Sequence, residues 1–339
     1  MLTYPPLPAL PRVSLLIAMR NEAKYIANCV QSVLQQDYPA DHLEIYVLDG
    51  NSADASWQIV EQLFLGRSNC FLLPNPGVTQ SAGWNLGIRL CRGDIIGIVS
   101  AHSKLAPDYV SIAVETLRRT GADLVGGPAR AHGESQIARA IAVATSTAFG
   151  VGGARFHYTK REEAVDTVFM GVCRREMYQQ IGGFDEEMVR DQDDELSYRL
   201  LARGGRIVCN PAIRSTYYNR ATLRSLWRQY FQYGFWKVRV LQKHPRQMRL
   251  RHFVPPLFAA SLIVSATLSL LSPVGGFSFT FILSAYFAAN LTASAWAASR
   301  HGWSYLPLLI IVYIVLHLSY GLGFLAGLVK FANRWREQR

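Results

Sequence analysis

Residues 94–110, DIIGIVSAHSKLAPDYV, decide the fold of this chain. An apolar run at the start predicts a buried strand, and Pro107 with Asp108 opens a helix predicted over residues 109–120. Small polar residues, Ser100, Ala101 and His102, follow the strand directly. Ligands bind at this end of the strands in open α/β sheets, so these residues are candidates for a site. An ordinary strand-to-helix turn with a solvated histidine is the alternative.

The order of strand, polar turn and helix also occurs three times before this stretch. The earlier predicted strands lie at 13–18, 44–48 and 70–73. Strands that alternate with helices predict parallel pairing and a Rossmann-like α/β sheet. One edge of the sheet should then hold the polar residues Glu22, Asp49, Asp54, Asn85, Ser100 and His102. Ordinary roles are open too, since Ser52 could cap a helix and Asn85 could satisfy backbone groups.

Charge is distributed unevenly along the 339 residues, whose formal net charge is +11. No acidic residue lies between Glu195 and Glu337, whereas thirteen Lys or Arg lie between Arg199 and Arg251, both included. A one-sided basic segment fits nucleic acid or an anionic membrane surface. The apolar segments that follow select the membrane, so we expect no nucleic-acid partner. Five cysteines without paired or metal-type spacing fit reduced core thiols and imply no disulfide or zinc framework.

The C-terminal part is first basic and aromatic and then apolar. Residues 221–252 predict a helix in the membrane interface. Apolar segments at 253–271, 277–298 and 305–329 are each close to the roughly 20 residues that cross a bilayer. The basic run before them should be cytoplasmic, but three crossings would place the basic C-terminus outside. That terminus contains Lys330, Arg334, Arg336 and Arg339. Either the first segment is re-entrant or the positive-inside rule is broken here.

Four ordered motifs resemble glycosyltransferase family 2, which has the GT-A fold. They are VSLLIAMRNEAKYIANCVQSVLQQDYP, VLDGNSAD, QSAGWNLGIRLCRGDIIGIVSAHSKLAPDYV and FMGVCRREMYQQIGGFDEEMVRDQDDELSYRLLARGGRI, together spanning residues 13–207. They are most similar to the membrane-anchored branch that contains succinoglycan and exopolysaccharide glucosyltransferases. The resemblance implies a GT-A domain at 1–220, with a mixed sheet flanked by helices. A basic amphipathic interfacial segment at 221–252 and a transmembrane region at 253–339 would follow.

The resemblance implies a nucleotide-sugar donor, a UDP-sugar, bound across the first half of the domain. The donor-binding positions would be Ala18, Arg20, Glu22, Asp49, Ser52, Asn85, Ser100 and Ala101. His102 falls where the family has the last Asp of its Asp-x-Asp metal motif, and Ser100 falls where the first would be. Imidazole ligates Mn2+ readily and Mg2+ less so, and we expect one of these ions on His102. A metal-poor site served by Arg155 or Lys160 is the alternative.

A second carboxylate cluster lies at 191–195 and precedes an apolar-periodic helix. The helix dipole stabilises acidic residues at the start of a helix, typically by about 0.3–1 kcal/mol, and this is the ordinary explanation of the cluster. In the family an Asp at the position of Asp193 is the general base, and its usual Glu neighbour is Gln192 here. The resemblance therefore implies single displacement with inversion. The diphosphate and acceptor positions would be Arg155, Gly171, Asp194, Arg228 and Gln229.

Two further features leave their alternatives open. The glycine-rich stretch at 149–158 predicts either a mobile cover over the donor or a plain linker. His317, inside the third apolar segment, could contact the acceptor or could simply be packed.

The resemblance implies an inverting hexosyltransferase, with glucose or a similar hexose as the sugar. It would move the sugar from UDP-sugar to a hydroxyl of a polyprenyl-diphosphate-linked glycan in polysaccharide biosynthesis. We expect a multi-pass protein of the inner cell membrane with a cytoplasmic catalytic domain. It would act alone, as a homo-oligomer or in a biosynthetic complex. The alternatives are a polyprenyl-phosphate glycosyltransferase and, because of Ser100, a degenerate membrane scaffold.

Overall fold

A computed structural model describes residues 2–219 and 221–335 of the chain, so Arg336 and Arg339 lie outside the described residues. The chain forms two compact units. The first comprises Met1–Arg130 and Tyr158–Tyr218, and the second comprises Ala131–His157 and Asn219–Arg339. The segment Ala131–His157, which the sequence placed inside the domain at 1–220, therefore packs with the C-terminal helices instead.

The described residues form eleven strands and twelve α-helices, which are joined by 3-10 turns and loops. The strands are β1 Val13–Met19, β2 Leu43–Asp49, β3 Cys70–Pro74, β4 Ile95–Ser100, β5 Ser103–Leu105, β6 Leu124–Gly127, β7 Arg130–His132, β8 Glu163–Ala164, β9 Phe169–Arg174, β10 Ile207–Cys209 and β11 Ser215–Tyr218. The helices are α1 Ile26–Leu34, α2 Ser56–Phe64, α3 Gln80–Leu90, α4 Tyr109–Thr120, α5 Gln136–Thr145, α6 Ala148–Val151, α7 Arg175–Ile181, α8 Gln192–Ala202, α9 Leu223–Lys243, α10 Val254–Ser269, α11 Pro273–His301 and α12 Leu306–Lys330.

The first unit is built on an eight-stranded sheet in the order β3-β2-β1-β4-β9-β6-β10-β8. Strands β1 to β4 pair in parallel, as the alternating pattern predicts. Strand β9 runs antiparallel between β4 and β6, which makes the sheet mixed. The predicted fold class, a Rossmann-like mixed sheet with flanking helices, is confirmed. A separate antiparallel pair joins β5 to β11.

The register of the parallel strands sets the place of the site. Met19 pairs with Asp49, and Asp49 pairs with Pro74. Ala18 pairs with Ser100 in the neighbouring strand. The carboxyl ends of four strands therefore meet at one edge of the sheet. All residues of β1, β2 and β4 are buried, as expected for strands covered by helices on both faces.

Two long helices of the second unit, α9 and α12, are in close backbone contact through glycines. A Cβ atom added to Gly234 of α9 would lie 2.0 Å from the carbonyl oxygen of Tyr320 in α12. In the other direction, a Cβ at Gly323 would lie 2.0 Å from the carbonyl oxygen of Phe231. Small residues that let helix backbones approach are typical of helix pairs in membranes. The segment predicted to lie in the interface is therefore packed along the third apolar helix.

The three apolar segments predicted from the sequence are confirmed as helices. By length and composition, Leu250–Ser269, Pro273–His301 and Trp303–Lys330 could each cross a membrane. The regular part of the first, α10, has only 16 residues and is about 24 Å long at the usual rise per residue. Its two prolines stand in its first turn, where the backbone needs no N–H donor.

The glycine-rich stretch at 149–158 belongs to the second unit up to residue 157 and packs against its helices. The carbonyl oxygen of Phe149 lies 2.8 Å from Nε2 of His317, and Arg251 donates to the carbonyl of Gly153 over 2.8 Å. Nδ1 of His317 lies 3.0 Å from the hydroxyl of Tyr286. Because a carbonyl only accepts, Nε2 carries the proton and Nδ1 accepts from the tyrosine. His317 is thus a packed histidine that holds this stretch.

Gly152 offers a test of this docking. Its φ of +61° is unfavourable for other residues, and an added Cβ would lie 2.9 Å from Cβ of Arg251. We expect Gly152→Ala to lower the free energy of unfolding by about 1–3 kcal/mol, measured by thermal unfolding of the detergent-purified protein. Gly153→Ala is the matched control, since its added Cβ would meet nothing closer than 3.8 Å. Equal melting temperatures for the two variants would contradict the docked arrangement.

Candidate active site

Hydrogen bonds tie together the turns that follow β1 and β2. Asp49 is 6 % exposed, and its carboxylate accepts from the N–H and the hydroxyl of Ser52 at 3.1 and 2.5 Å. The Ser52 hydroxyl in turn accepts from the N–H of Asn21 at 2.9 Å, and the Asn21 side chain accepts from the N–H of Ala53 at 2.7 Å. Asn21 has a φ of +55°, which asparagine tolerates better than most residues. The two predicted donor positions Asp49 and Ser52 therefore form one fixed recess.

The same network fixes the backbone of Glu22. Its N–H donates to the hydroxyl of Ser56 at 2.8 Å, and the N–H of Ala23 donates to Asp54 at 3.1 Å. Limited burial alone would raise the pKa of Asp54, but hydrogen bonds from Ser56 and Ala23 lower that pKa below its usual value. The backbone of Glu22 is thus anchored while its side chain points elsewhere.

That side chain contacts His102, at the turn after β4. Oε1 of Glu22 lies 3.0 Å from Nδ1 of His102, and the two side chains are 23 % and 21 % exposed. A carboxylate beside Nδ1 places the imidazole proton on that nitrogen and leaves Nε2 as an acceptor. The ring also packs against Tyr217, with 5.2 Å between centroids. Both residues were expected at this edge of the sheet, but their contact was not predicted. They are 80 residues apart in the sequence, and neither stretch indicates the other as its partner.

This pair is too small a donor set to hold a metal ion alone, so a divalent cation would have to be shared with a phosphate ligand. Within residues 2–219 and 221–335, no cluster of three or more His, Cys, Asp or Glu side chains could hold a metal by itself. Mg2+ commonly takes one or two protein carboxylates and completes its shell with phosphate oxygens and water, and Mn2+ also accepts imidazole. A carboxylate on the far nitrogen of a histidine is also the usual support of a metal-binding imidazole. Nε2 of His102 would be the protein ligand.

Ser100 and its neighbours are the buried part of this edge of the sheet. Ser100 is 9 % exposed, and its N–H donates to Sδ of Met170 at 3.3 Å. Met170 has a φ of +50°, and its carbonyl accepts from the hydroxyl of Tyr109 at 2.7 Å. The predicted donor positions Ala18 and Ala101 are also buried. Arg20, in contrast, is exposed.

Two predicted positions have packing partners that favour their ordinary roles. The Asn85 amide donates to the carbonyl of Phe184 and to Glu186, both at 2.8 Å, and accepts from the N–H of Phe184. Asn85 therefore satisfies the turn before α8, which was its alternative role. Gly171 lies in β9, and an added Cβ would lie 2.6 Å from Leu124 of β6. The absence of a side chain at Gly171 leaves room for Leu124 between the two strands.

The first turn of α8 carries the second carboxylate cluster. Gln192 is 5 % exposed, and its amide donates to Gln80 at 2.7 Å. Gln80 begins α3, the helix that follows the carboxyl end of β3. This contact brings the start of α8 to the sheet edge that carries Asp49 and His102. Asp193, the next residue, is exposed, and its carboxylate accepts from the N–H of Asp194 at 3.0 Å.

Glu195 has a structural role in the same helix. It is 4 % exposed and receives two hydrogen bonds from Arg199, at 3.1 and 2.5 Å. Arg199 also donates to the carbonyl of Ile181 at 2.8 Å, which fixes the helix against α7. Asp193 is the most exposed carboxylate of the cluster, since Asp194 is half-buried and Asp191 is buried.

Three predicted positions belong to the second unit. Arg155 is exposed in the 3-10 turn Arg155–His157. Arg228 is exposed and Gln229 is half-buried near the start of α9, where the Gln229 amide donates to the hydroxyl of Tyr233 at 2.9 Å. Their contact with a diphosphate stays a prediction.

Known proteins are similar to this chain in sequence and in fold. The glycosyl transferase family 2 model matches residues 14–182. The chain is 28 % identical to the succinoglycan biosynthesis protein ExoA of Rhizobium meliloti, over 94 % of this chain and 96 % of that protein. It is 29 % identical to the dolichyl N-acetyl-alpha-D-glucosaminyl phosphate 3-beta-D-2,3-diacetamido-2,3-dideoxy-beta-D-glucuronosyltransferase of Methanococcus voltae, over 68 % of this chain and 74 % of that protein.

A solved structure shows the same fold. The mannosyltransferase PcManGT from Pyrobaculum calidifontis, in complex with GDP-Man and Mn2+, superposes with a TM-score of 0.61 at 18 % identity. The match covers 94 % of this chain and 88 % of that one. The motifs, the family model and the shared architecture agree: residues 14–182 are a glycosyltransferase family 2 domain, and the chain is a glycosyltransferase with the GT-A fold.

Proposed function

We propose that this glycosyltransferase moves a hexose from a UDP-sugar to a hydroxyl of a polyprenyl-diphosphate-linked glycan, with inversion at the anomeric carbon. The observation that carries the proposal is the exposed carboxylate of Asp193 at the start of α8, tied through Gln192 and Gln80 to the strand-end edge. The same edge holds the pair of Glu22 and His102. A base and a candidate metal ligand on one edge are what a direct displacement requires.

In this proposal Asp193 takes the proton of the acceptor hydroxyl while the hydroxyl oxygen bonds to the anomeric carbon. The bond from that carbon to the nucleotide diphosphate breaks on the opposite face, and the diphosphate leaves. General base catalysis of this type contributes about 10²–10⁴-fold. Negative charge builds on the leaving diphosphate, and a divalent cation, when bound, offsets it. Glu22 orients His102 for that ion, and Asp49 and Ser52 shape the recess for the nucleoside.

Two observations support a glycan acceptor on a membrane lipid. The relative from Rhizobium meliloti is named for succinoglycan biosynthesis, and the relative from Methanococcus voltae is named for a dolichyl N-acetyl-alpha-D-glucosaminyl phosphate substrate. Three helices of this chain are long and apolar enough to cross a membrane. We therefore place the chain in the cell membrane as a multi-pass protein, with transfer at residues 1–220 on the cytoplasmic face. Arg155, Arg228 and Gln229 would contact the anionic diphosphate groups.

A screen of nucleotide sugars tests the proposal. The detergent-purified full chain is incubated with UDP-glucose and other UDP-sugars, polyprenyl-diphosphate-linked acceptors, and either Mn2+ or a chelator. We expect transfer from a UDP-hexose that depends on the ion, and NMR of the product should show the inverted anomer. Transfer to polyprenyl phosphate alone would support the phosphate-glycosylating alternative. Neither transfer nor donor hydrolysis with any UDP-sugar would indicate a scaffold.

A further inference from the structure

The turn that carries His102 is bordered by β11, a strand from the end of the first unit. Strand β11 pairs antiparallel with β5, which begins directly after His102, and Tyr217 lies opposite Ser103 in this pairing. The N–H of Tyr218 donates to the carbonyl oxygen of His102 at 3.1 Å. The backbone of the candidate metal ligand is therefore held by a strand that lies far from it in the sequence.

The side chain of Tyr217 contacts the imidazole ring of the same turn. The centroids of the Tyr217 and His102 rings are 5.2 Å apart, and their planes make an angle of 55°. Phe169 and Tyr217 meet edge to face, with 5.3 Å between their centroids. Both Tyr217 and Phe169 are half-buried. Aromatic rings at these distances attract each other, so the Tyr217 ring is held against His102 with support from Phe169.

The neighbouring side chain, Tyr218, lies against the turn that carries Glu22. Successive residues of a strand point to opposite faces, and the Tyr218 ring stacks on the ring of Tyr25 with 5.1 Å between centroids. The N–H of Tyr25 donates to the carbonyl oxygen of Glu22 at 2.9 Å. Strand β11 thus contacts His102 directly and the turn of Glu22 through Tyr25.

The hydrogen bond from Glu22 does not by itself fix the plane of the imidazole. It holds one atom of His102, Nδ1, and the ring can still turn about that atom. The lone pair with which Nε2 binds a metal ion lies in the ring plane, so such a turn carries it away from the ion. A second contact on the ring removes this freedom before the ion binds.

We propose that Tyr217 is a positioning residue for the candidate metal ligand. Its ring, supported by Phe169, keeps the imidazole of His102 in the orientation in which Nε2 can bind the divalent cation. Groups that orient a metal-binding imidazole strengthen the binding of the metal although they do not touch it. Tyr217 lies outside the four motifs, which end at residue 207. The role rests on the proposed function, because it needs a divalent cation at His102.

Mn2+ binding to the full chain in detergent, with UDP present, tests this role independently of sugar transfer. Electron paramagnetic resonance of free Mn2+ gives the affinity, and electron spin-echo modulation of the bound ion detects the nitrogen of a coordinated imidazole. We expect this nitrogen signal in the wild type and not in His102→Ala. Tyr217→Leu should weaken Mn2+ binding by about 3–10-fold, the size expected for one aromatic contact, and should reduce the nitrogen signal. Tyr217→Phe keeps the ring and both ring contacts, so it should match the wild type.

Phe71→Leu is the matched control, because it removes one ring of a stacked pair elsewhere in the same unit. The rings of Phe71 and Tyr46 are 4.6 Å apart, and β3, which carries Phe71, is separated from β4 by β2 and β1. Its Mn2+ affinity and nitrogen signal should equal those of the wild type. An equal loss in Phe71→Leu or in Tyr217→Phe, or no loss in Tyr217→Leu, would overturn the positioning role. Mn2+ bound to the wild type without a nitrogen signal would overturn the metal site itself, and this role with it.

Discussion

Asp193→Asn is expected to lower the rate of sugar transfer by about 10²–10⁴-fold, while nucleotide affinity changes little. The amide cannot take a proton from the acceptor, but it has nearly the same shape as the carboxylate. The contacts that hold α8 use Gln192, Glu195 and Arg199, so the variant should fold normally. Steady-state kinetics gives the rate, and isothermal titration with UDP gives the affinity.

Asp194→Asn is the comparison variant for this experiment, because Asp194 is a predicted acceptor position but not the predicted base. Asp194 stands in the same helical turn and contributes its N–H to the Asp193 carboxylate, a bond that the substitution leaves in place. Loss of one acceptor contact should lower its transfer rate by about tenfold, the effect of a single hydrogen bond, and so by less than the loss at Asp193. The reverse result, with activity kept in Asp193→Asn and lost in Asp194→Asn, would move the base to Asp194. Full activity in both variants would favour phosphate as the acceptor, which needs no base.

The second large effect is expected at the pair of Glu22 and His102. His102→Ala should weaken Mn2+ binding in the presence of UDP by at least the 10–100-fold that is typical for loss of a supporting group. Glu22→Gln should weaken it by about 10–100-fold, because a neutral amide accepts the Nδ1 proton more weakly than a carboxylate does and leaves Nε2 a poorer metal ligand. Electron paramagnetic resonance of free Mn2+ measures the affinity directly and independently of turnover.

Two further variants make this prediction sharper. His42→Ala removes an imidazole from the 3-10 turn Ala40–His42, outside the site, and should leave Mn2+ affinity unchanged. His102→Asp restores an oxygen ligand at the family's position and should retain transfer when Mn2+ is supplied. If His102→Asp loses activity at every Mn2+ concentration, His102 does not act as a metal ligand. If Glu22→Gln binds Mn2+ as the wild type does, the carboxylate has no supporting role.

Local patterns were enough to predict the four parallel strands of the first unit and the helices that follow them. The apolar run and Pro107 predicted the strand and the helix around His102, and α4 has the predicted bounds, Tyr109–Thr120. The antiparallel course of β9 could not follow from alternation, because its place between β4 and β6 depends on long-range pairing. The role of Asn85 was equally hidden, since its partners lie 99 and 101 residues away.

In the second half the sequence predicted helices but not their partners. Glycines four apart in α12, Gly323 and Gly327, are a known sign of close helix packing and could have pointed to a partner helix. The identity of that partner, α9, could not be read, because a basic and aromatic helix also fits a membrane surface. Of the two roles left open for His317, the structure shows packing, and its partner Phe149 could not be predicted because it lies 168 residues away.

The route of the chain between the two units limits how the protein can be divided. The polypeptide leaves the first unit after Arg130 and returns at Tyr158, and α5 in the excursion buries its apolar face in a cluster with Leu309 and Leu316. Truncation near residue 220 would not release a soluble catalytic fragment, because it would strip α5 of its cover and expose an aggregation-prone surface. The two units therefore have to be expressed and purified as one chain.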